Sequence, residues 1–156
     1  MIEKLTKKYP TKEEVLANLY TPSTEETKEI ERWKQAWYKR SPNYQQLTKP
    51  GWRNQPEWIK WQALADLITI ICTTKEVTAP GFEHDNSEIG WRYNQTTQTI
   101  IGLRGRPSII SCLHELGHHI YGPDETQACQ FSIGIFKTCF PKGFSNLKWK
   151  GHKLTT

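Results

Sequence analysis

The pentapeptide His-Glu-Leu-Gly-His at residues 114–118 constrains this chain most strongly, because it lies inside an amphipathic segment. Apolar residues recur there at the spacing of one helix face: Ile109, Leu113, Leu116 and Ile120. With Ser108 as N-cap, this pattern predicts a helix over about 107–121. On such a helix His114 and His118 lie one turn apart and about 40° apart in azimuth, so both imidazoles project from the same side.

This spacing indicates a metal site. Two imidazoles on one helix face can bind a single ion at the ~2.0–2.1 Å that is typical of zinc–nitrogen bonds. Glu115 lies farther round the helix, where it can take a proton from a water held by that ion. Gly117 costs roughly 1 kcal/mol inside a helix, which is explained if another backbone segment or a substrate comes close to it.

Catalytic zinc requires a third protein ligand, with the fourth position left open. Gly122 and Pro123 end the first helix, and Asp124 caps a second one that is predicted over about 125–137. Glu125 falls in the first turn of this second helix, where the helix dipole also favours a carboxylate, and we expect it to be the ligand. Asp124 is the alternative ligand, although N-capping alone would account for it.

A family resemblance follows from these residues. After His-Glu-Leu-Gly-His the chain carries Glu125, Ala128 and Phe131 in the pattern Glu-x-x-Ala-x-x-Phe. Over about residues 89–137 it resembles the ImmA/IrrE-type zinc peptidases, a gluzincin-like family, which also have a β-hairpin leading into the motif helix. The resemblance implies Zn²⁺ as cofactor, Glu115 as general base and three zinc ligands: His114, His118 and Glu125.

The rest of the chain predicts a mostly helical domain. Further helices are predicted over about 12–20, 23–39 and 57–73, and alternating residues at 89–94 and 98–103 predict a β-hairpin. The fold class is therefore α+β: a single domain in which a small antiparallel sheet packs beside the motif helix, as in a minimal zincin-like fold. We expect three regions: a helical N-terminal region with a long loop (1–56), a metallopeptidase-like core (57–137) and a basic tail (138–156).

The net charge of +5 is unevenly distributed. Residues 32–56 carry six basic and no acidic side chains, and residues 126–156 carry five lysines and no acid. Aromatic residues are interleaved with the first basic segment: Trp33, Trp37, Tyr38, Tyr44 and Trp52. Solvated surface explains such segments most simply, but the pattern also makes nucleic acid a candidate partner for both.

Membrane and secretory features are not expected in this sequence. No stretch reaches 18 apolar residues, and no hydrophobic run follows the first lysines. The chain has four cysteines, Cys72, Cys112, Cys129 and Cys139, with no Cys-x-x-Cys pair among them, and the first three fall in predicted helices. We therefore expect buried free thiols and a cytoplasmic protein.

These observations predict a zinc-dependent metallopeptidase that cleaves a specific intracellular protein or peptide, with Glu115 assisting the attack of zinc-bound water. The alternative is a non-catalytic, zinc-stabilised module that binds protein or nucleic acid. His119 is expected to have a supporting or surface role. Four further residues are candidate oxyanion donors, although solvation of the histidines and packing of the tyrosines are the simpler expectation: His84, His152, Tyr93 and Tyr121.

Overall fold

The computed structural model describes residues 9–40, 51–150 and 153–155. The helices within them are α1 (Lys12–Ala17), α2 (Thr24–Arg40), α3 (Glu57–Lys75), α4 (Ile109–Tyr121), α5 (Glu125–Cys139) and α6 (Pro141–Ser145). The strands are β1 (Gly81–Asp85), β2 (Arg92–Asn94), β3 (Thr99–Leu103), β4 (Lys148–Lys150) and β5 (Lys153–Thr155). The predicted α+β class is confirmed.

Local sequence signals place the main helices correctly. Helices α2, α3, α4 and α5 each begin and end within two residues of their predicted bounds. Their caps explain this agreement: Ser23 accepts a hydrogen bond from the backbone N–H of Glu26, and Ser108 accepts one from that of Ser111. Helix α1 ends at Ala17, three residues earlier than predicted.

The small sheet has the strand order β1-β3-β2. Strands β2 and β3 form the predicted antiparallel hairpin, with Tyr93 opposite Ile100. Strand β2 begins at Arg92, whereas residues 89–94 are predicted as strand. A turn at Ser87–Gly90, in which Gly90 has a φ of 82°, occupies the residues before it. Residues 74–88 are predicted to be irregular or to form a short strand, and β1 lies within them. It pairs with β3 in parallel, so the sheet is mixed and not antiparallel as predicted.

The described part of region 138–156, where a basic tail is predicted, contains regular secondary structure. Residues 141–145 form α6, and β4 pairs with β5 in a second, two-stranded sheet. The physical reason is apolar burial, because Phe144, Leu147 and Trp149 pack against Val15, Cys129 and Ile133.

The main core lies between α2, α3, α4, α5 and the three-stranded sheet. Trp33 and Trp37 are buried in it, and Trp33 Nε1 donates a hydrogen bond to Ala63 O at 2.6 Å. These two rings are therefore buried and cannot contact nucleic acid. Tyr44 and most of the long loop, which is predicted over residues 41–56, lie outside the described residues. Nucleic-acid binding by segments 32–56 and 126–156 stays a prediction.

One prediction about the buried face of helix α3 is wrong. The spacing of apolar residues over 57–73 predicts that Trp58 lies on the same buried stripe as Leu64, but Trp58 is 62% exposed. Six residues before Leu64, it lies about 120° away round the helix and so faces solvent.

Among the described helices, none is both long enough and apolar enough to span a bilayer.

Candidate metal centre

The two motif-bearing helices approach each other at Gly117. A Cβ at that position would lie 3.0 Å from the Cα of Ala128 and 3.3 Å from the ring of Phe131. This confirms the expectation that another backbone segment comes close to Gly117. Because small residues face each other here, the first turn of α5 can lie beside the histidine face of α4.

The two acidic residues at the junction of α4 and α5, Asp124 and Glu125, have different surroundings. Gly122 adopts a φ of 98° and its N–H donates to His118 O at 2.9 Å, which ends α4. Asp124 is exposed and caps α5, since its Oδ1 accepts hydrogen bonds from the backbone N–H groups of Thr126 at 2.8 Å and Gln127 at 3.3 Å. Glu125 is instead 7% exposed.

The structure brings the three predicted ligand residues together. His114 Nε2 lies 3.1 Å from Glu125 Oε2, and His118 Nε2 lies 3.1 Å from Glu125 Oε1. One donor atom from each residue can be chosen so that all three lie within 4.8 Å of one another. Donor atoms at zinc-binding distance around a tetrahedral ion are about 3.3 Å apart, so the two histidine–glutamate distances fit such an ion.

The hydrogen bonds behind the imidazoles orient them. His118 Nδ1 donates to the carbonyl oxygen of Gly122 at 2.9 Å, which leaves the lone pair of Nε2 facing Glu125. His114 Nδ1 lies 3.8 Å from Cys129 Sγ. Sequence reasoning did not identify the role of Gly122 O or of Cys129, although the glycine that ends α4 marked the position of this carbonyl.

The electrostatics of the cluster favour a cation. Burial raises the pKa of Glu125, but hydrogen bonds and charge interactions with His114 and His118 outweigh it and hold that pKa well below its usual range. The hydrogen bond to Glu125 raises the pKa of His118 in turn. A carboxylate facing two imidazole nitrogens requires either protons or a metal ion between them, and a divalent cation satisfies all three donors at once.

Glu115, the predicted general base, lies next to this cluster. Its side chain is 8% exposed, and together with His114 it lines a cavity of about 270 Å³. The glutamate is therefore placed where a group bound near His114 is within its reach. A second cavity, of about 370 Å³, borders Glu125 from the side of Tyr9 and Pro10.

His119 makes hydrogen bonds with residues outside the cluster of His114, His118 and Glu125. Its Nε2 donates to Thr78 O at 2.7 Å, so its Nδ1 accepts the hydrogen bond from the Tyr93 hydroxyl, also at 2.7 Å. This agrees with the supporting role expected for His119. Tyr93 is thus engaged in a structural hydrogen bond, and the ring of Tyr121 packs against Phe131 with centroids 5.5 Å apart.

The expectation of a solvated loop histidine is wrong for His84. This residue lies in β1, and its ring stacks on Trp61 with centroids 4.4 Å apart and planes inclined by 17°. Its Nδ1 accepts a hydrogen bond from Arg104 Nε at 3.1 Å, so both interactions are structural. His152 lies outside the described residues.

Comparisons of this chain with protein-family models, with curated proteins and with solved structures find no match. Function is therefore inferred from the residues and from their arrangement in the fold.

Proposed function

We propose that this protein is a zinc-dependent metallopeptidase with a zincin-like arrangement of α4, α5 and the small sheet. The observation that carries the proposal is the convergence of His114 Nε2 and His118 Nε2 on the two oxygens of Glu125, at 3.1 Å each. Glu115 lines the cavity next to that cluster. Two imidazoles, one carboxylate and a neighbouring glutamate are the groups that this hydrolysis requires.

Each group has a defined task in the proposed reaction. His114, His118 and Glu125 hold the ion, which when bound supplies a Lewis acid for the scissile carbonyl and lowers the pKa of water towards ~7. Glu115 accepts the proton of the attacking water and passes it to the leaving amine. The hydrogen bond from His118 to Gly122 O keeps that imidazole in the tautomer and orientation that binding requires.

The proposed substrate is a peptide bond in a specific intracellular protein. Supporting this class, the cavity beside Glu115 has a volume of about 270 Å³, which admits part of an extended peptide rather than a folded domain. Activity on general substrates is therefore not required by the proposal.

Metal analysis tests the ligand set. Wild-type protein should retain about one zinc per chain after gel filtration, and Glu125→Ala should lose it. Asp124→Asn is the matched control, because asparagine keeps the cap of α5 while removing the neighbouring carboxylate. Zinc retained in Glu125→Ala but lost in Asp124→Asn would reject our assignment of the third ligand.

The catalytic role is tested by Glu115→Gln, which preserves shape and removes the base. This variant should bind zinc as the wild type does and show no cleavage of a proteome-derived peptide library, read by mass spectrometry. Wild-type protein that binds zinc, cleaves nothing in this library and binds DNA with a steep salt dependence would instead support the non-catalytic module.

A further inference from the structure

The cavity next to Glu115 has a chemical character that bears on substrate choice. Its lining combines four apolar residues with five others: Ile89, Trp91, Ile110 and Ile133, then Ser111, Cys129, Ser132, His114 and Glu115. The three residues after the apolar ones are small and uncharged, and the last two belong to the proposed catalytic centre. A group held in this cavity therefore touches an apolar surface and lies beside the reacting atoms.

Charge restricts what the cavity can hold. Among the described residues that line it, none is lysine or arginine, and Glu115 is the single acid. An acidic substrate side chain would meet this carboxylate without any compensating cation. An ammonium group would lose its hydration against the apolar side chains, and its one counter-charge in the lining would be Glu115, which the proposed reaction uses as its base. An uncharged, apolar side chain avoids both penalties.

The dimensions of the cavity fit one large side chain. Ile89 is 75% exposed and Ile133 is 3% exposed, so the cavity runs from the protein surface towards the interior. Its volume of about 270 Å³ exceeds the ~150 Å³ of an engineered apolar cavity that binds benzene. A leucine or phenylalanine side chain can therefore enter it.

We infer that this cavity is a specificity pocket for an aliphatic or aromatic side chain adjacent to the scissile peptide bond. The inference rests on the proposed function, and it makes Ile89 and Trp91 specificity-determining residues. Substrates that carry an acidic residue at this position are excluded by Glu115 and by the apolar wall.

Binding of simple hydroxamates tests this pocket without any cleavage assay. The probes are the N-acetylated hydroxamates of glycine, leucine, phenylalanine, lysine and glutamic acid, titrated calorimetrically into the zinc-loaded protein. All share the metal-chelating group and differ in the neighbouring side chain. Leucine and phenylalanine probes should bind about 10-fold or more tightly than the glycine probe, and the glutamic acid probe should bind most weakly.

Two variants locate the effect in the pocket. Ile89→Ser should lower the leucine-to-glycine affinity ratio at least threefold, because it removes an apolar wall at the exposed mouth. Val77→Ser is the matched control, since Val77 is also exposed and does not line the cavity. Ser111→Phe, which places a ring in the cavity, should remove the preference while the glycine probe still binds.

The failures of the two proposals are distinguishable. If the glycine probe binds and the apolar probes bind no more tightly, or if Val77→Ser changes the ratio as much as Ile89→Ser, the specificity pocket is rejected and the metal centre stands. If no probe binds to protein that has been incubated with zinc, the metal centre is rejected and the pocket proposal fails with it.

Discussion

Two buried glutamates of this protein have contrasting surroundings. Glu26, 3% exposed, accepts hydrogen bonds from the Tyr20 hydroxyl and the Ser23 N–H, and its Oε2 lies 3.3 Å from Lys75 Nζ. Glu125, 7% exposed, faces two imidazole Nε2 atoms. The first carboxylate has a permanent cation within the fold, whereas the histidine partners of the second carry a charge only when protonated.

This difference separates a structural charge from the proposed metal site. Around Glu26 the protein supplies its own compensation: Lys75 Nζ also donates to Tyr20 OH at 2.6 Å, and it lies 4.3 Å from the centroid of the Tyr20 ring. Burial, followed by the hydrogen bond to Glu26, raises the pKa of Tyr20 to about 12, so its hydroxyl remains a donor. In the proposed metal centre, the cation beside Glu125 comes from solution instead.

The largest expected effect is stabilisation by zinc. At zinc concentrations a thousandfold above Kd, binding to the folded state should raise the free energy of unfolding by about 4 kcal/mol, and a chelator should reverse it. Urea unfolding with and without zinc measures this increment. His118→Ala should lose it, whereas a variant of the Glu26 cluster should keep it. An equal increment in His118→Ala would place the metal elsewhere.

Removing the charge of Glu26 should have the next largest effect. Glu26→Gln leaves Lys75, whose side chain is 17% exposed, without its counter-charge and should lower the free energy of unfolding by about 3 kcal/mol, with or without zinc. The double variant Glu26→Gln/Lys75→Met should recover much of this loss, because it removes the unpaired cation. No recovery in the double variant would show that the ion pair is not what the single change disrupts.

Gly117→Ala is expected to affect both stability and the metal site. The added Cβ would lie 3.0 Å from the backbone of Ala128, so the helices must separate slightly, at a cost of about 2 kcal/mol. Because this contact holds α5 against the histidine face of α4, zinc affinity should also fall, about 10-fold. Gly51→Ala is a control for loss of a glycine, since nothing lies within 4 Å of the added Cβ and its φ of -76° suits alanine. Unchanged zinc affinity in Gly117→Ala would show that the contact between α4 and α5 at Gly117 does not affect metal binding.

Local signals account for what the sequence predicts well. Helical periodicity and capping residues set the bounds of α2 to α5, and the spacing of His114 and His118, with Glu125 in the next helix, brings the three residues to one place. The packing at Gly117 could also be anticipated, because glycine inside a helix requires a reason.

Features that depend on distant contacts were missed. Strand β1 is defined by its parallel pairing with β3, in which Gly81 lies opposite Thr99. The mixed sheet also depends on Gly102, where a Cβ would lie 2.6 Å from the ring of Trp61. Neither contact has a local sequence signature. The apolar wall of the cavity likewise combines residues from the turn before β2, from α4 and from α5.

The smallest expected effect is the pH dependence that Glu26 adds to stability. Burial raises the pKa of this carboxyl, but Tyr20, the Ser23 N–H and Lys75 together hold it below its usual range. Its contribution is therefore complete above the unfolded value of about 4.3 and is lost as the pH falls through the folded pKa. Urea unfolding between pH 7 and pH 3, in chelator, measures it as the difference between wild type and Glu26→Gln.

That difference should be constant down to about pH 4.5 and shrink at lower pH. Glu125 also has a lowered pKa in the metal-free protein, but it titrates in both proteins and cancels in the comparison. Acid loss of stability that is identical in wild type and Glu26→Gln would assign all of it to other groups, with the metal-free cluster at Glu125 the first to examine. Glu26, the carboxylate with its own cation inside the fold, would then add nothing to the free energy of unfolding that depends on its charge.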